Sequence, residues 1–197
     1  MKPPLRQGSP DDFQTPPEAL APILAYLKKE WIVWECAAGK GNLKKELKRI
    51  GYNVIGSDII SENDDIKKID FLKDTPPEAF DCIITNPPFK YKQQFLERCY
   101  ELEKPFALLL PLTTFETEKR QKLFREKGLE VIFMPKRINF ETPNKVINSS
   151  SWFATAWFTW GLNVGKEMTF SVVEIAAKRI ESEASQLKFT FKEREGR

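Results

Sequence analysis

Short apolar segments alternate with amphipathic, helix-like segments through residues 31–134 of this chain. Apolar runs of about four to eight residues bounded by glycine or proline are typical of buried strands, and apolar residues three or four apart are typical of helices. Strands that alternate with helices form a parallel sheet, because each helix carries the chain back across one face. The alternation therefore predicts an α/β fold with a doubly wound, mostly parallel sheet.

The predicted elements cover most of the chain after a polar, proline-rich N-terminal segment, residues 1–12, that we expect to be flexible. A capping box, Thr15-Pro16-Pro17-Glu18, predicts the first helix, with Thr15 as its N-cap. Further helices are predicted near 42–50, 92–102 and 117–127, and strands at 31–35, 52–56, 69–71, 80–85, 106–110, 129–134 and 152–160. Residues 13–161 would form the main domain, and 162–197 an extension in which 168–173 could form a strand.

Composition excludes several classes of site. The chain contains no histidine, which excludes histidine acid–base catalysis, Ser-His-Asp chemistry and histidine metal ligands. The cysteines, Cys36, Cys82 and Cys99, lack metal-ligand spacing and indicate free thiols in a reducing compartment. No run approaches the roughly 20 apolar residues of a membrane span, and no signal peptide is recognisable. We therefore expect a cytoplasmic protein without metal or membrane contact. Its net charge of +3 is compatible with a polyanionic partner but does not require one.

Polar or glycine residues follow four of the predicted strands. Ligands of open α/β sheets bind at the carboxyl ends of the strands, near the change in strand order. A glycine turn lets the backbone approach a ligand closely, and an acid after the second strand suits ribose hydroxyls. This combination favours a ligand that contains adenosine. The residues are Glu35, Gly39 and Gly41 after the first strand, Asp58 after the second, Asp70 at the third and Asn86 after the fourth.

The run Asn86-Pro87-Pro88-Phe89, here called the Asn-Pro-Pro-Phe motif, points to chemistry at an aromatic amine. The lone pair of such an amine is delocalised into its ring, and two acceptors can localise it without a strong base. The Asn86 side-chain oxygen supplies one acceptor, and a carbonyl fixed by the prolines, most simply that of Pro87, supplies the second. Phe89 offers a flat face on which a flipped base can stack. An ordinary Asn-Pro turn is the alternative interpretation.

These residues resemble the motifs of class I S-adenosylmethionine-dependent N-6-adenine methyltransferases over about residues 11–161. Residues 34–43, with Glu35, Ala37, Gly39 and Gly41, are similar to the family's cofactor motif, although Cys36 replaces its usual proline. Asp58 matches the acid that binds ribose hydroxyls. The resemblance implies cofactor contacts from Phe13, Thr15, Asp70 and Phe71, a second aromatic residue for the flipped base in Phe140, and phosphate or substrate contacts from Lys90 and Arg137.

The resemblance implies a seven-stranded Rossmann-like sheet with an antiparallel final strand, the cofactor S-adenosylmethionine, and adenine in DNA as the substrate. The chain has no room for an inserted recognition domain, and so resembles the compact, phage-type enzymes of the family. Three alternatives stay open: an RNA adenine methyltransferase, a protein glutamine methyltransferase, and a catalytically inactive partner subunit that binds nucleic acid.

Overall fold

The computed structural model describes residues 14–60, 63–140 and 153–165, and the backbone of 168–170. Phe13, residues 1–12 and most of the C-terminal extension lie outside these ranges. The strands are β1 (Ile32–Glu35), β2 (Asn53–Asp58), β3 (Lys67–Lys68), β4 (Cys82–Thr85), β5 (Phe106–Pro111), β6 (Glu130–Phe133), β7 (Thr155–Trp160) and β8 (Met168–Phe170). The α-helices are α1 (Asn42–Arg49), α2 (Lys92–Glu101) and α3 (Glu118–Lys127), and 3-10 helices cover Pro17–Leu20, Leu24–Tyr26, Phe89–Tyr91 and Leu112–Glu116.

The strands form one sheet in the order β3-β2-β1-β4-β5-β7-β6-β8. β7 runs antiparallel to both of its neighbours, β5 and β6, and the other pairings are parallel. The predicted mostly parallel sheet with a late antiparallel strand is thereby confirmed. The short β8, which pairs with β6 at the edge, adds an eighth strand to the predicted seven.

Both faces of the sheet are covered, as the doubly wound arrangement requires. On one face, Leu20 from the N-terminal segment and Leu47 from α1 pack with Val33 of β1. On the opposite face, Leu96 from α2 packs with Trp34, the next residue of β1. Successive strand residues point to opposite faces, so the fully apolar strands predicted from the sequence fill two separate cores.

The predicted first helix is wrong in type and in its cap. The segment forms two 3-10 helices, the first with Pro16 at its N-cap and without a side-chain cap hydrogen bond, so Thr15 does not cap it. A capping Thr15 would accept from the N–H of the second or third helical residue. In that arrangement Pro17 would be the second helical residue and has no N–H, and Pro22 prevents an α-helical hydrogen bond that would continue the helix.

The third strand was also predicted too late in the chain. β3 covers Lys67–Lys68 and pairs with the end of β2, whereas Asp70 begins a turn in which its carbonyl accepts from the N–H groups of Lys73 and Asp74. The strand was predicted at residues 69–71 because they are mostly apolar. Phe71 is buried in the core, but it lies in the turn and not in a strand.

Candidate active site

The predicted site lies where the strand order changes direction. β1 and β4 are neighbours in register, with Trp34 opposite Ile83, and the chain continues from them toward opposite edges of the sheet. Glu35 ends β1, and Asn86 follows the last residue of β4. The carboxyl ends of these two strands therefore bring the glycine turn and the Asn-Pro-Pro-Phe motif to one edge, where α/β sheets bind ligands.

The glycine turn between β1 and α1 is fastened to the end of β2. Gly39 and Gly41 have φ of 51° and 78°, the left-handed region that glycine enters without strain. The Gly39 N–H donates to Asp58 Oδ2 at 2.8 Å, and the Ala38 N–H donates to the Ser57 carbonyl at 2.9 Å. The predicted cofactor residues Gly39, Gly41 and Asp58 are thus close together, and the half-buried Ala37 lies in the same turn.

Gln14 completes this turn and was not predicted from the sequence. Its Oε1 accepts from the Lys40 N–H at 3.3 Å, and a Cβ added at Gly39 would lie 3.1 Å from Gln14 Nε2. Gln14 and Thr15 are both buried. The start of the described N-terminal segment therefore packs on the glycine turn. A single glutamine in a polar segment carried no signal of this contact. The cofactor contact implied for Thr15 stays a prediction, and Phe13 lies outside the described residues.

Glu35 is a buried carboxyl group beside the glycine turn, with 2% of its surface exposed. Burial raises its pKa well above the ordinary value, and nearby Asp58 raises it further, whereas the backbone N–H and the ammonium group of Lys44 lower it. In the described part of the chain, Glu35 Oε2 is buried without a hydrogen-bond partner. Such an atom is costly unless a ligand donates to it, so Glu35 is suited to a cationic or hydrogen-bond-donating group.

Lys44 of α1 is a buried lysine, with 3% of its surface exposed. Its stem runs along Gly56, where an added Cβ would lie 2.7 Å from Lys44 Cδ, and its Nζ pairs with Asp65 Oδ2 at 2.7 Å. Next to Asp65, Ile66 lies against Gly41, with Ile66 Cδ1 3.3 Å from an added Cβ. The segment after β2 is thereby held to the start of α1. Nothing in the sequence indicated this contact, since lysines on amphipathic helices are usually solvated.

The Asn-Pro-Pro-Phe motif turns directly from β4 into a 3-10 helix. Asn86 is half-buried with its Oδ1 buried, and Pro87 is buried. The Pro88 carbonyl accepts from the Tyr91 N–H at 2.9 Å, which closes the turn. The turn thus uses the carbonyl of Pro88, one residue beyond the Pro87 carbonyl assigned as the second acceptor.

Three phenylalanines from distant parts of the sequence meet beside this motif. The Phe89 ring lies edge-on to Phe140 and Phe153, with centroids 6.3 and 5.4 Å away, and Phe140 stacks on Phe153 at 6.0 Å. The predicted substrate residues Phe89 and Phe140 are thus brought together. Phe153 was missed because it precedes β7 in a segment where aromatic residues indicated strand alone. These residues are called the aromatic cluster below.

Asp70 and Phe71 make contacts within the fold, whereas the resemblance implied contacts with the cofactor. The Phe71 ring is buried, stacks on Phe95 at a centroid distance of 4.8 Å, and lies edge-on to Trp34 at 5.2 Å. Asp70 Oδ1 accepts from the Leu72 N–H at 3.0 Å, and Oδ2 lies 3.4 Å from Lys73 Nζ. Both residues stabilise the turn after β3, and their contact with a cofactor stays a prediction.

The remaining predicted substrate residues are on the surface. Lys90 and Arg137 are exposed, and Lys90 directly follows the motif. Two exposed isoleucines that sequence reasoning missed, Ile59 and Ile60, follow Asp58. A groove of about 840 Å³ lies elsewhere, along the outer side of β2, and its lining includes Tyr52, Ile55 and Pro77 but none of the predicted site residues.

The fold resembles solved methyltransferase structures at low sequence identity. A type I restriction-modification system methyltransferase subunit from Streptococcus thermophilus superposes with a TM-score of 0.57 and 17% identity, over 88% of this chain and 53% of that one. A candidate RNA methyltransferase from Pyrococcus horikoshii gives 0.52 and 17%, over 73% and 79%. The 23S rRNA methyltransferase ErmE gives 0.50 and 17%, over 72% and 65%.

These similarities establish the fold, and the chain spans about half the length of the Streptococcus thermophilus subunit. No protein-family model matches the sequence, and no curated protein matches it at a significant level. Within residues 14–60, 63–140 and 153–165, no cluster of three or more His, Cys, Asp or Glu side chains could hold a metal ion. No helix in the described ranges is long and apolar enough to span a membrane.

Proposed function

We propose that this chain is an S-adenosylmethionine-dependent methyltransferase that methylates the exocyclic amino nitrogen of adenine in DNA. The observation that carries the proposal is the position of the Asn-Pro-Pro-Phe motif. It follows β4 at the change in strand order, next to the strand that leads into the glycine turn. An ordinary Asn-Pro turn would account for the change in chain direction, but not for a preformed aromatic cluster around Phe89.

The side chains beside the glycine turn fit S-adenosylmethionine. Glu35 Oε2 is a buried acceptor without a donor in the described structure, and the methionine end of the cofactor carries an ammonium group. Asp58 would hold the ribose hydroxyls: each of its oxygens accepts one backbone N–H, from Gly39 or Ile60, and retains a further lone pair. The exposed Ile59 and Ile60 offer an apolar surface beside that carboxylate for the adenine ring. The cofactor supplies, when bound, a methyl group on a positively charged sulfur.

The motif itself would hold the acceptor amine. Asn86 Oδ1 and the Pro87 carbonyl would each accept one hydrogen bond from the amino group, which localises the nitrogen lone pair. Phe89 would stack on the adenine, and its edge-on contacts with Phe140 and Phe153 restrict its rotation before substrate binds. Preorganised acceptors cost little reorganisation at the moment of reaction, and catalysis would depend on them rather than on a strong base.

Adenine in RNA is the second candidate, since the same side chains would serve a base in either polymer. The similarity in fold to ErmE, a 23S rRNA methyltransferase, supports RNA as an alternative substrate. A protein glutamine amide has two amino hydrogens in a plane like those of adenine, but it cannot stack on Phe89 as a ring does. A catalytically inactive subunit would have no need of the buried acceptor at Glu35.

Transfer of labelled methyl groups from S-adenosylmethionine to DNA, RNA and protein tests these alternatives, followed by mapping of the modified base. We expect N-6-methyladenine in DNA. Asn86→Ala should lower kcat by about 100-fold or more while the cofactor Kd, measured by calorimetry, changes little. Asn53, which is exposed on β2, provides a matched control, and Asn53→Ala should retain full activity. Modification of RNA alone would assign the second candidate, and equal kcat in Asn86→Ala would remove Asn86 from the mechanism.

A further inference from the structure

Tyr91 is an aromatic side chain whose exposure the fold does not require. It is one of three large apolar or aromatic side chains exposed in the described ranges, with 39% of its surface accessible. Within those ranges no other aromatic ring packs against it, whereas Phe89, two residues earlier, is held by two rings. Packing of the core therefore explains Phe89 but leaves the position of Tyr91 unexplained.

The turn after the motif fixes Tyr91 relative to the proposed base pocket. The Tyr91 N–H donates to the Pro88 carbonyl at 2.9 Å, and Phe89 and Tyr91 begin and end the same 3-10 helix. Two residues of a 3-10 helix advance by about 4 Å. With three residues per turn, the two side chains leave this helix about 120° apart, so Phe89 faces the aromatic cluster while Tyr91 is exposed at the same turn. Tyr91 is therefore placed for a nucleotide that flanks a flipped base and not for that base itself.

The charge around Tyr91 suits a nucleotide. Lys90 Nζ lies over one face of the Tyr91 ring, 4.6 Å from its centroid, so a base would stack on the opposite face with the cation close by. A nucleotide presents a base and a phosphate together, and proteins that bind single strands combine stacking rings with basic side chains. α2 begins directly afterwards at Lys92, and its first turn contains no acidic residue, so the positive end of the helix dipole is not neutralised there.

We infer that Tyr91 stacks on the nucleobase adjacent to the methylated adenine, while Lys90 contacts the phosphate that joins the two nucleotides. The inference rests on the proposed function, and it adds a contact that would select an adenine within a polynucleotide over free adenine or a protein amide. Phe89 would receive the target base and Tyr91 its neighbour. Tyr91 is then a positioning residue for the substrate strand.

Binding of fluorescein-labelled single-stranded DNA, measured by anisotropy, tests the inference without requiring activity. The strand carries one adenine among pyrimidines, and matched strands lack the base on its 5′ or its 3′ side. Tyr91→Ala should weaken binding about 5- to 100-fold, as expected for loss of one stacked base, and Tyr91→Phe should stay within about twofold of wild type. One abasic strand should weaken wild-type binding by the same factor and leave binding to Tyr91→Ala unchanged.

The salt dependence of binding tests the contact of Lys90 with a phosphate. Lys90→Gln should reduce that dependence by about one phosphate contact. Lys122→Gln, which changes an exposed lysine on α3, should not.

Wild-type affinity in Tyr91→Ala, or an equal abasic effect in both proteins, would overturn the inference. Its failure is distinguishable from failure of the proposed function, because methyl transfer to adenine is measured separately. Transfer that does not depend on Tyr91 leaves the function and removes the inference. Tyr91-dependent binding without any transfer to adenine would overturn the proposed function, and with it the placement of Tyr91 beside a methylated base, although Tyr91 would still contact the strand.

Discussion

The Gly39 N–H donates to Asp58 Oδ2 at 2.8 Å, which ties the turn after β1 to the end of β2. A single carboxylate therefore shapes the glycine turn and remains half-exposed beside it. Removing that carboxylate should affect both the local backbone and the ligand that the turn would hold.

Asp58→Ala should raise the Kd for S-adenosylmethionine by about tenfold or more, because a hydrogen bond to a charged group contributes about 1.5–3 kcal/mol. Asp58→Asn, which keeps one acceptor oxygen for the Gly39 N–H, should lose less. Isothermal titration calorimetry measures both Kd values. Asp64→Asn provides the matched control, since Asp64 is an exposed acid of the following loop. Equal affinity in wild type and Asp58→Ala would show that this carboxylate does not bind the cofactor.

Gly56→Ala should lower the free energy of unfolding by about 1–3 kcal/mol, although Gly56 is not at a left-handed backbone position. The added Cβ would lie 2.7 Å from Lys44 Cδ, and the ion pair with Asp65 holds the lysine in place. In a Lys44→Ala background the clash is absent, so the two substitutions should couple by about 0.5–3 kcal/mol. Urea unfolding of the four proteins measures the coupling. Gly128→Ala is the control: nothing lies within 4 Å of its added Cβ, and its cost should be the same with or without Lys44.

The pair of Gly56 and Lys44 illustrates what the sequence could and could not predict. Continuous apolar runs predicted β1, β4 and β5 within a few residues, because these strands are buried on both faces of the sheet. Apolar residues at helical spacing predicted α2, which buries one face, and Gly128 marked the end of α3. The sequence did not predict contacts of polar side chains with residues distant in the chain. Two examples are the stem of Lys44 against Gly56, and Gln14 against the glycine turn. These contacts depend on the tertiary arrangement.

The candidate site divides in the same way. Motif positions predicted which residues reach the carboxyl edge of the sheet, since parallel strands deliver their ends to one side. Phe140 was predicted through a resemblance to hold the flipped base; it contacts Phe89, and its contact with a base stays a prediction. Phe153 had no signal apart from its aromatic character, and the short strand β3 was misplaced because the apolar character of residues 69–71 was interpreted as strand.

Phe153→Ala should raise the KM for the nucleic-acid substrate several-fold, because Phe153 is the nearer of the two rings that contact Phe89. Phe153→Leu, which retains most of the volume, should be intermediate. Steady-state methyl transfer and thermal unfolding are measured together. The control is Phe124→Leu on α3, which packs on Phe115 and Phe158 away from the motif, and it should lower the melting temperature without changing KM. A melting-temperature loss in Phe153→Ala at unchanged KM would limit Phe153 to a structural role.

The buried Glu35 carboxyl group should make stability depend on pH in a direction opposite to that of most acids. Its pKa in the folded chain is raised well above the ordinary value of 4.5, chiefly by burial, so the folded chain retains a proton that the unfolded chain releases. The free energy of unfolding contributed by this group is therefore fully present below pH 4.5, and it falls as the pH rises toward the folded pKa. The slope over that interval approaches about 1.4 kcal/mol per pH unit.

Glu35→Gln removes the titration while preserving size, and urea unfolding of both proteins across this pH range isolates the contribution of Glu35. We expect the variant to gain stability relative to wild type as the pH rises above 4.5. Saturating S-adenosylmethionine should reduce that gain, because a cation beside Glu35 stabilises the carboxylate and favours the ionised wild type. A constant difference between the two proteins across the pH range would show that Glu35 titrates normally, and an unchanged gain with cofactor present would place the cofactor's ammonium group away from Glu35.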